Sequence, residues 1–240
     1  MIADKIVDVT LKLSDDLNNL KFVDSITHVY NPLSYAWEAH ELYIRKRCNS
    51  LKQVLFLGMN PGPFGMAQTG VPFGEVEMVK NWVGVNSIIK KPKNEHPNRL
   101  IEGFNCKRSE VSGRRLWQMF QKRYKSAESF FSKSYVLNYC PLLFMEKSGK
   151  NFTPEKLPLR NNAELYRSCD EHLARVVKIL NVKWVICIGN FAKKRADVAL
   201  RDFDKLKTGY ILHPSPANPK ANSGWAQLAT EQLKQIGVWS

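Results

Sequence analysis

Cysteine is scarce in this chain, and its distribution excludes several kinds of site. The 240 residues include five cysteines, an odd number, and no two of them form a C-x-x-C pair. A disulfide framework, a zinc site and an iron–sulfur cluster all need thiols that pair or cluster, so we predict none of them. Walker and dinucleotide-binding fingerprints are also lacking, and we expect no metal and no cofactor.

Long apolar runs are lacking as well. No stretch approaches the roughly 20 residues that a transmembrane helix needs. The segment Met1-Ile2-Ala3-Asp4-Lys5 does not have the basic-then-apolar pattern of a signal peptide. We therefore expect an intracellular protein with no membrane partner.

Acidic residues are outnumbered by basic ones. The chain has 36 Lys and Arg against 22 Asp and Glu, which gives a formal net charge of +14. Such an excess favours a polyanionic partner, nucleic acid first and an anionic membrane surface second. Basic pairs and triplets recur, with Lys193-Lys194-Arg195 the best single candidate for phosphate binding. Any one cluster is explained more simply as a solvated helix face, but together they favour phosphate binding.

Apolar runs that alternate with helical segments indicate a parallel sheet covered on both faces. No internal repeat or linker is evident, so we predict one domain. The predicted strands are Gln53–Leu57, Tyr135–Leu137, Trp184–Ile188 and Tyr210–Leu212. Helices are predicted over residues 3–20, 36–48, 110–125, 160–181, 190–201 and 224–235.

Polar residues follow all four predicted strands. They are Asn60, Asn138, Asn190 and His213. In an open parallel sheet, the ligand crevice lies beyond the carboxyl ends of the strands. We therefore predict a functional site at this edge.

Two proline-containing loops stand at this edge, Gly58-Met59-Asn60-Pro61-Gly62-Pro63 and His213-Pro214-Ser215-Pro216. The carbonyl of Asn60 can accept a hydrogen bond from a water molecule and fix its approach. His213 can donate to an oxygen that becomes anionic in a transition state. Asn138 carries both a donor and an acceptor, which suits the edge of an amide-like heterocycle.

Phe64 and Phe73 are candidates for a stacking wall against a flat ring, although both are also suited to a core. Asn-Pro-Gly is often only a turn, and a histidine at a strand end often has no chemical role. Ser215 lacks the Gly-x-Ser-x-Gly elbow, so we do not expect a serine hydrolase.

The segment from Gly58 to Gly74 closely resembles the first motif of the single-strand-selective monofunctional uracil-DNA glycosylases. The segment from His213 to Trp225 resembles their second motif, and the Asn138 region also matches. The resemblance covers about residues 30–236, whereas residues 1–25 form an N-terminal helical extension with no usable match. It implies a three-layer α/β/α sandwich around a four-stranded parallel sheet, within a single domain over residues 1–240.

The resemblance implies hydrolysis of the N-glycosidic bond of uracil, hydroxymethyluracil and formyluracil in single- and double-stranded DNA. The product is an abasic site for base excision repair. Asn60 would position the attacking water, and His213 would stabilise charge on the departing base. No lysine nucleophile is needed, so the activity is expected to be monofunctional.

The family's substrate-binding residues correspond to five positions here. Asn138 would read the edge of the uracil, and Phe73 would stack on its ring. Met59 would contribute to the pocket, while Gly62 and Met66 would shape the region near C5 of the base. There, a polar substituent would be admitted and the methyl group of thymine disfavoured.

The segment Pro214–Gly224 corresponds to the wedge that enters DNA while the nucleotide leaves the stack, and we call it the wedge segment. Ala217 occupies a position where the resemblance leads us to expect a basic side chain. The residues predicted to contact DNA are Pro214, Ser215, Pro216, Ala217, Asn218, Pro219, Lys220, Lys193, Lys194 and Arg195.

The expected partner is single-stranded or duplex DNA that contains uracil or oxidised pyrimidines. We expect a monomer, and the resemblance implies a nuclear location.

Three rival hypotheses are a mismatch-thymine or alkylated-base glycosylase, a non-catalytic DNA-binding module that keeps the fold, and a nucleoside hydrolase. The Gly-Pro-Phe-Gly-Met continuation argues against the first rival, and the retention of Asn60, Asn138 and His213 argues against the second. The site loops lack the carboxylates that calcium-dependent nucleoside hydrolysis would need.

Overall fold

A four-stranded parallel sheet lies at the centre of the computed structural model, which describes all 240 backbone positions and all side chains except those of residues 159–162. The strands are β1 (His28–Tyr30), β2 (Val54–Gly58), β3 (Ser134–Asn138), β4 (Leu143–Met145), β5 (Asn151–Phe152), β6 (Trp184–Ile188) and β7 (Lys207–Ile211). The central sheet has the order β3-β2-β6-β7, with every neighbouring pair parallel.

Both faces of this sheet are covered. Every residue of β2 and β3 is buried, although successive side chains point to opposite faces. Only a helical layer on each face buries such strands, and apolar runs of this kind are typical of parallel sheets. The predicted α/β sandwich with four parallel strands is confirmed. The last strand begins three residues earlier than predicted, because its first residue, Lys207, is an exposed lysine without an apolar signal.

Helices connect and cover the strands. They are α1 (Ile2–Asn18), α2 (Pro32–Tyr35), α3 (Trp37–Arg47), α4 (Met66–Thr69), α5 (Val76–Met78), α6 (Val111–Tyr124), α7 (Ala127–Phe131), α8 (Leu159–Leu180), α9 (Asn190–Ala199), α10 (Pro219–Asn222) and α11 (Trp225–Ile236). A π-helical turn spans Val79–Val83, and 3₁₀ turns span Gly103–Asn105 and Pro154–Lys156. Within the described part of the chain, no helix is long and apolar enough to cross a membrane.

The N-terminal helix is part of the core. Ile6, Leu13 and Leu17 are buried on one side of α1, where the helix packs against α8 and α3. The helix itself was predicted, and the structure adds that its apolar face is packed against the rest of the fold. Apolar spacing shows which face is buried, and it does not show which partner covers that face.

A second, three-stranded antiparallel sheet was not predicted. Its order is β1-β4-β5, and its strands are only two or three residues long. Strands this short cannot show a period-2 pattern, so the sequence signal is too weak. The sheet follows closely on the carboxyl end of β3 and brings the chain after β5 to the same edge as the predicted site.

Candidate active site

A cavity of about 400 Å³ opens at the carboxyl edge of the central sheet. The loop after β2, the end of β3 and the segment after β7 line it, which brings together Asn60, Asn138 and His213. Asn190 is exposed at the start of α9 and does not line the cavity, so the predicted convergence of all four strand ends was wrong for this residue. Among the side chains described, no group of three or more His, Cys, Asp or Glu is arranged to hold a metal ion.

Asn60 is anchored at one end of its amide and free at the other. Its Nδ2 donates to the carbonyl oxygen of Leu142 at 3.1 Å. Its Oδ1 is buried and has no hydrogen-bond partner among the described residues. A buried acceptor without a partner is costly unless a ligand or water completes it. The geometry therefore provides an oriented acceptor that a water molecule in the cavity can use.

His213 is held as a neutral ring. Its Nδ1 accepts the backbone N–H of Ser215 at 3.1 Å, and burial lowers its pKa from 6.5 to about 4. Because a backbone N–H can only donate, the single proton of the neutral ring must be on Nε2. His213 is thus prepared to donate to an oxygen in the cavity without carrying a positive charge.

Phe73 forms the wall on which a flat ring can stack. It is 8% exposed, and its ring centroid lies 6.2 Å from that of His213. Its φ of 53° is unusual for a residue other than glycine and is typical of strained positions at functional sites. The indole N–H of Trp117 on α6 donates to the Phe73 carbonyl at 2.8 Å and helps to hold this conformation.

Gly58 leaves room for two of these side chains. A Cβ atom there would lie 2.4 Å from the ring of Phe73 and 2.5 Å from Oδ1 of Asn138. The parallel register also places Gly58 directly beside Asn138. The last residue of β2 therefore has to be glycine for the wall and the amide to occupy their positions.

Asn138 is 6% exposed, and its Nδ2 lies 3.4 Å from the sulfur of Met66. A thioether is a weak acceptor, so this contact leaves the amide available to a better partner. Met59, Gly62 and Met66 also line the cavity, as predicted for substrate-binding residues.

Phe64 differs from Phe73. The guanidinium carbon of Arg108 lies 3.9 Å from the centroid of its ring, and that of Arg99 lies 5.7 Å away. One face of Phe64 is thus already covered by a guanidinium group. Of the two aromatic residues considered for the stacking wall, the structure leaves Phe73 for that role.

The wedge segment is held by internal hydrogen bonds and by one side chain of α6. Arg115 donates to the carbonyl oxygen of Pro214 at 2.9 Å and to Oδ1 of Asn222 at 3.0 Å. Asn222 in turn donates to the carbonyl oxygen of Pro216 at 2.9 Å. Of the residues predicted to contact DNA, Pro216, Ala217, Pro219 and Lys220 are exposed, Ser215 and Asn218 are partly exposed, and Pro214 is buried.

The prediction that the basic triplet on α9 binds phosphate needs correction. Arg195 packs over the ring of Tyr166 and pairs with Asp170, so its charge is used inside the protein. Lys193 pairs with Asp197 at 2.6 Å. Only Lys194 of the three is exposed and has no carboxylate partner among the described residues. The sequence shows the charges but not the acids that the fold brings beside them.

Several lining residues were missed. Glu110 is the only carboxylate among the described residues that line the cavity. It accepts the N–H of Gly113 at the start of α6, and burial raises its pKa. Its position at the start of a predicted amphipathic helix was the available signal. Asn151 in β5 and Thr153 just after it also line the cavity, and they were missed together with the small sheet.

Comparison with known proteins places this geometry in a family. Residues 45–234 match the sequence model of the Uracil DNA glycosylase superfamily. The single-strand selective monofunctional uracil DNA glycosylase of Bos taurus is 44% identical over 238 residues, which cover 99% of this chain and 88% of that protein. The chain belongs to this superfamily. The corresponding glycosylase of Rattus norvegicus is 43% identical and covers 99% of this chain and 86% of its own length.

These matches confirm the predicted family and the predicted class of enzyme, a DNA glycosylase and thus a hydrolase of DNA repair. They take in nearly all of residues 1–25, for which the sequence alone offered no usable resemblance. The crystal structure of wild-type SMUG2 from Pedobacter heparinus superposes with a TM-score of 0.69 at 18% identity, covering 99% of this chain and 96% of the other. At that identity it supports the fold alone, which agrees with the sheet described above.

Proposed function

We propose that this glycosylase hydrolyses the N-glycosidic bond of uracil, hydroxymethyluracil and formyluracil in single- and double-stranded DNA and leaves an abasic site. The observation that carries the proposal is the free, buried Oδ1 of Asn60 in the same cavity as the neutral His213. Asn60 can orient a water molecule, and His213 can donate a hydrogen bond to the oxygen on which negative charge develops. Relatives named as monofunctional uracil DNA glycosylases support the same reading.

The extracted base would lie against Phe73, with its hydrogen-bonding edge at the amide of Asn138. Removing a nucleotide from the stack costs a few kcal/mol, and the cost is least in single strands and mismatches. A single-strand preference is therefore consistent with a cavity that receives an unstacked base.

Cleavage breaks the bond between C1′ of the sugar and N1 of the base. Negative charge develops on the base, and the Nε2 proton of His213 can stabilise it where it accumulates on oxygen. Positive charge develops on the sugar, and the neighbouring DNA phosphates favour it. The base departs with the electron pair of the broken bond, the water held by Asn60 adds its oxygen to C1′, and the proton that this water loses ends on the departed base or in the solvent. No protein nucleophile takes part in these steps.

A substituent on C5 of the base would lie near Gly62 and Met66. If Asn138 and His213 meet the polar edges of the ring, the C5 edge faces the loop that contains Gly62 and Met66. Gly62 has no side chain to fill that space, and its nearest neighbour there is the Glu110 side chain, 3.9 Å from where a Cβ atom would lie. The room and the polar surroundings support acceptance of a hydroxymethyl or formyl group. On the family resemblance we also propose a nuclear location and a monomeric protein.

The test uses labelled single-stranded and duplex oligonucleotides that carry one uracil, hydroxymethyluracil, formyluracil or thymine. After incubation in EDTA, hot alkali cleaves abasic sites, and an unheated sample serves as the control. We expect cleavage at the three uracils, only after alkali, and none at thymine.

The variants Asn60→Ala and His213→Ala should each lower the single-turnover excision rate by about 10²–10³-fold while the protein still binds DNA. If the wild-type protein binds DNA but makes no abasic site from any substrate, the non-catalytic DNA-binding module becomes the better explanation.

A further inference from the structure

We propose that Arg108 and Arg99, held on Phe64, bind a backbone phosphate of the DNA strand at the mouth of the cavity. Phe64 belongs to the same loop as Asn60 and lines the cavity. The two guanidinium carbons lie 3.9 Å and 5.7 Å from the centroid of its ring. This inference rests on the proposed function, because it concerns the strand that presents the base.

Stacking on an aromatic ring prepares a guanidinium group for phosphate. The group lies over the ring, and its N–H donors point outward in its own plane, ready for a bidentate contact with phosphate oxygens. Fewer conformations of the long side chain then have to be given up when the ligand arrives.

The charges of these arginines are not used inside the protein. Arg108 is exposed, and within the described part of the chain no carboxylate forms an ion pair with either arginine. Arg99 donates through Nη1 to the carbonyl oxygen of Asn98 at 2.8 Å. Its Nε is buried and has no partner among the described residues. Neither guanidinium group is therefore neutralised by a carboxylate of the described residues, and the exposed Arg108 is open to an anionic ligand.

Elsewhere, several prominent basic side chains are already paired. The basic residues with partners are Arg45 with Asp4 and Glu41, Arg47 with Glu128, Lys193 with Asp197, and Arg195 with Asp170. By contrast, Lys107, Arg108 and Arg114 line a second cavity of about 320 Å³ that shares Ser109 with the first one. Within the described part of the chain, none of these three forms an ion pair. Glu75 and Glu77 line the same second cavity, where Glu75 accepts hydrogen bonds from Ser109 and from the N–H of Met78. Three basic side chains against two carboxylates leave an excess of positive charge beside the mouth of the active site.

The position of the arginines suggests a path for the strand. Phe64 and Ser109 line the cavity from the loop after β2 and the segment before α6, whereas Ser215 and Pro216 of the wedge segment line it from the segment after β7. A strand that crosses the mouth would have the wedge segment on one flank of the extracted nucleotide. The backbone phosphate on the other side of the extracted nucleotide would lie at Arg108. Such a contact holds the backbone and does not read the base.

The first measurement is the salt dependence of binding to a single-stranded oligonucleotide. Each phosphate contact in a single strand contributes about 0.7 to the slope of log K against log salt concentration. We expect Arg108→Gln to reduce the magnitude of the slope by about 0.7 and to weaken binding equally for uracil and thymine oligonucleotides. Arg201→Gln is the control for loss of an exposed arginine, because this side chain, whose Nε lies 3.8 Å from Asp202, is at the opposite edge of the sheet, before β7, and its substitution should leave the slope unchanged.

The second measurement replaces single phosphates near the uracil by neutral methylphosphonates, one position at a time. One flanking position should weaken binding of the wild-type protein by about the same factor as the combined substitution of Arg99→Gln and Arg108→Gln, because both side chains would contact the same phosphate. At that position the doubly substituted variant should lose no further affinity. An unchanged salt slope, or equal losses for both proteins at every position, would overturn the proposal. Wild-type protein that binds DNA but fails to excise uracil would instead count against the proposed function, and the phosphate contact would still be measured by binding.

Discussion

At the scale of single residues, the surroundings decide what an ordinary side chain can do. Asn60 is useful because the carbonyl of Leu142 takes its Nδ2 and leaves a buried oxygen without a partner. His213 is useful because burial keeps it neutral and Ser215 fixes which nitrogen carries the proton. Neither residue is strongly acidic or basic, so the site has to act by orientation and hydrogen bonding.

Ala217 gives a prediction at this scale. It lies exposed in the wedge segment, and a cationic side chain there would gain a phosphate contact only when a second strand has to be displaced. We expect Ala217→Arg to raise single-turnover excision of uracil from duplex DNA more than from single strands. The matched control is Ala217→Gln, which adds bulk without charge. An equal effect of Ala217→Arg on both substrates would contradict the idea.

At the scale of elements, helix α6 organises the site from behind. Trp117 holds the carbonyl of Phe73, and Arg115 holds both ends of the Pro214–Asn222 stretch. The sequence predicted this helix over residues 110–125, and in the structure its first residue, Val111, is partly buried and lines the cavity. The sequence showed a basic pair at 114–115 without showing that one of the two faces the wedge segment.

Arg115 gives the prediction for this element. Arg115→Gln removes two hydrogen bonds from a charged donor, each worth about 1.5–3 kcal/mol, and the wedge segment should become more mobile. A mobile segment is less able to hold open a duplex, so excision from duplex DNA should fall about tenfold more than excision from single strands. Single-turnover rates on matched substrates measure this ratio.

Lys122→Gln is the control for Arg115→Gln, because it removes the same charge from an exposed position of the same helix. If Arg115→Gln lowers both rates by one common factor, the arginine supports the fold or His213 rather than the wedge segment.

At the scale of the whole molecule, two buried histidines connect segments that are distant in the chain. His40 on α3 donates through Nδ1 to the carbonyl of Gly70 at 2.7 Å, and Nε2 of His172 on α8 lies 3.4 Å from Oγ1 of Thr10 on α1. Burial lowers the pKa of His40 to about 4 and that of His172 to about 3, both from 6.5. Both rings are therefore neutral in the folded protein at neutral pH.

This burial predicts how stability depends on pH. Between about pH 6.5 and pH 4 the unfolded chain binds protons at these histidines while the folded chain does not, so the free energy of unfolding falls as the pH falls. Each histidine contributes a slope of up to about 1.4 kcal/mol per pH unit. Above pH 6.5 the contribution is constant. Urea unfolding at a series of pH values measures this slope of the free energy of unfolding against pH. The substitution His172→Gln should lower the slope by the contribution of one histidine. An unchanged slope would show that His172 is protonated in the folded state.

The main helices and strands, and the chemistry of the two main loops, could be predicted from the amino-acid sequence alone. Four apolar strands, each followed by polar residues or glycine, were enough to predict a parallel sheet and the edge at which Asn60, Asn138 and His213 meet. Local periodicity and the rule for strand ends depend on neighbours in the chain, so they can be read from it. The long motif that begins at Gly58 was specific enough to indicate the family.

Which basic side chains lack an acidic partner, and which buried acceptor lacks a donor, is known only from the three-dimensional structure. Arg195 and Arg108 look alike in the sequence, but the first is paired with Asp170 and the second lies exposed over Phe64. Glu110 and Asn151 enter the cavity from parts of the chain far from either motif. Such pairings depend on contacts between distant segments, and a helical or strand period carries no information about them.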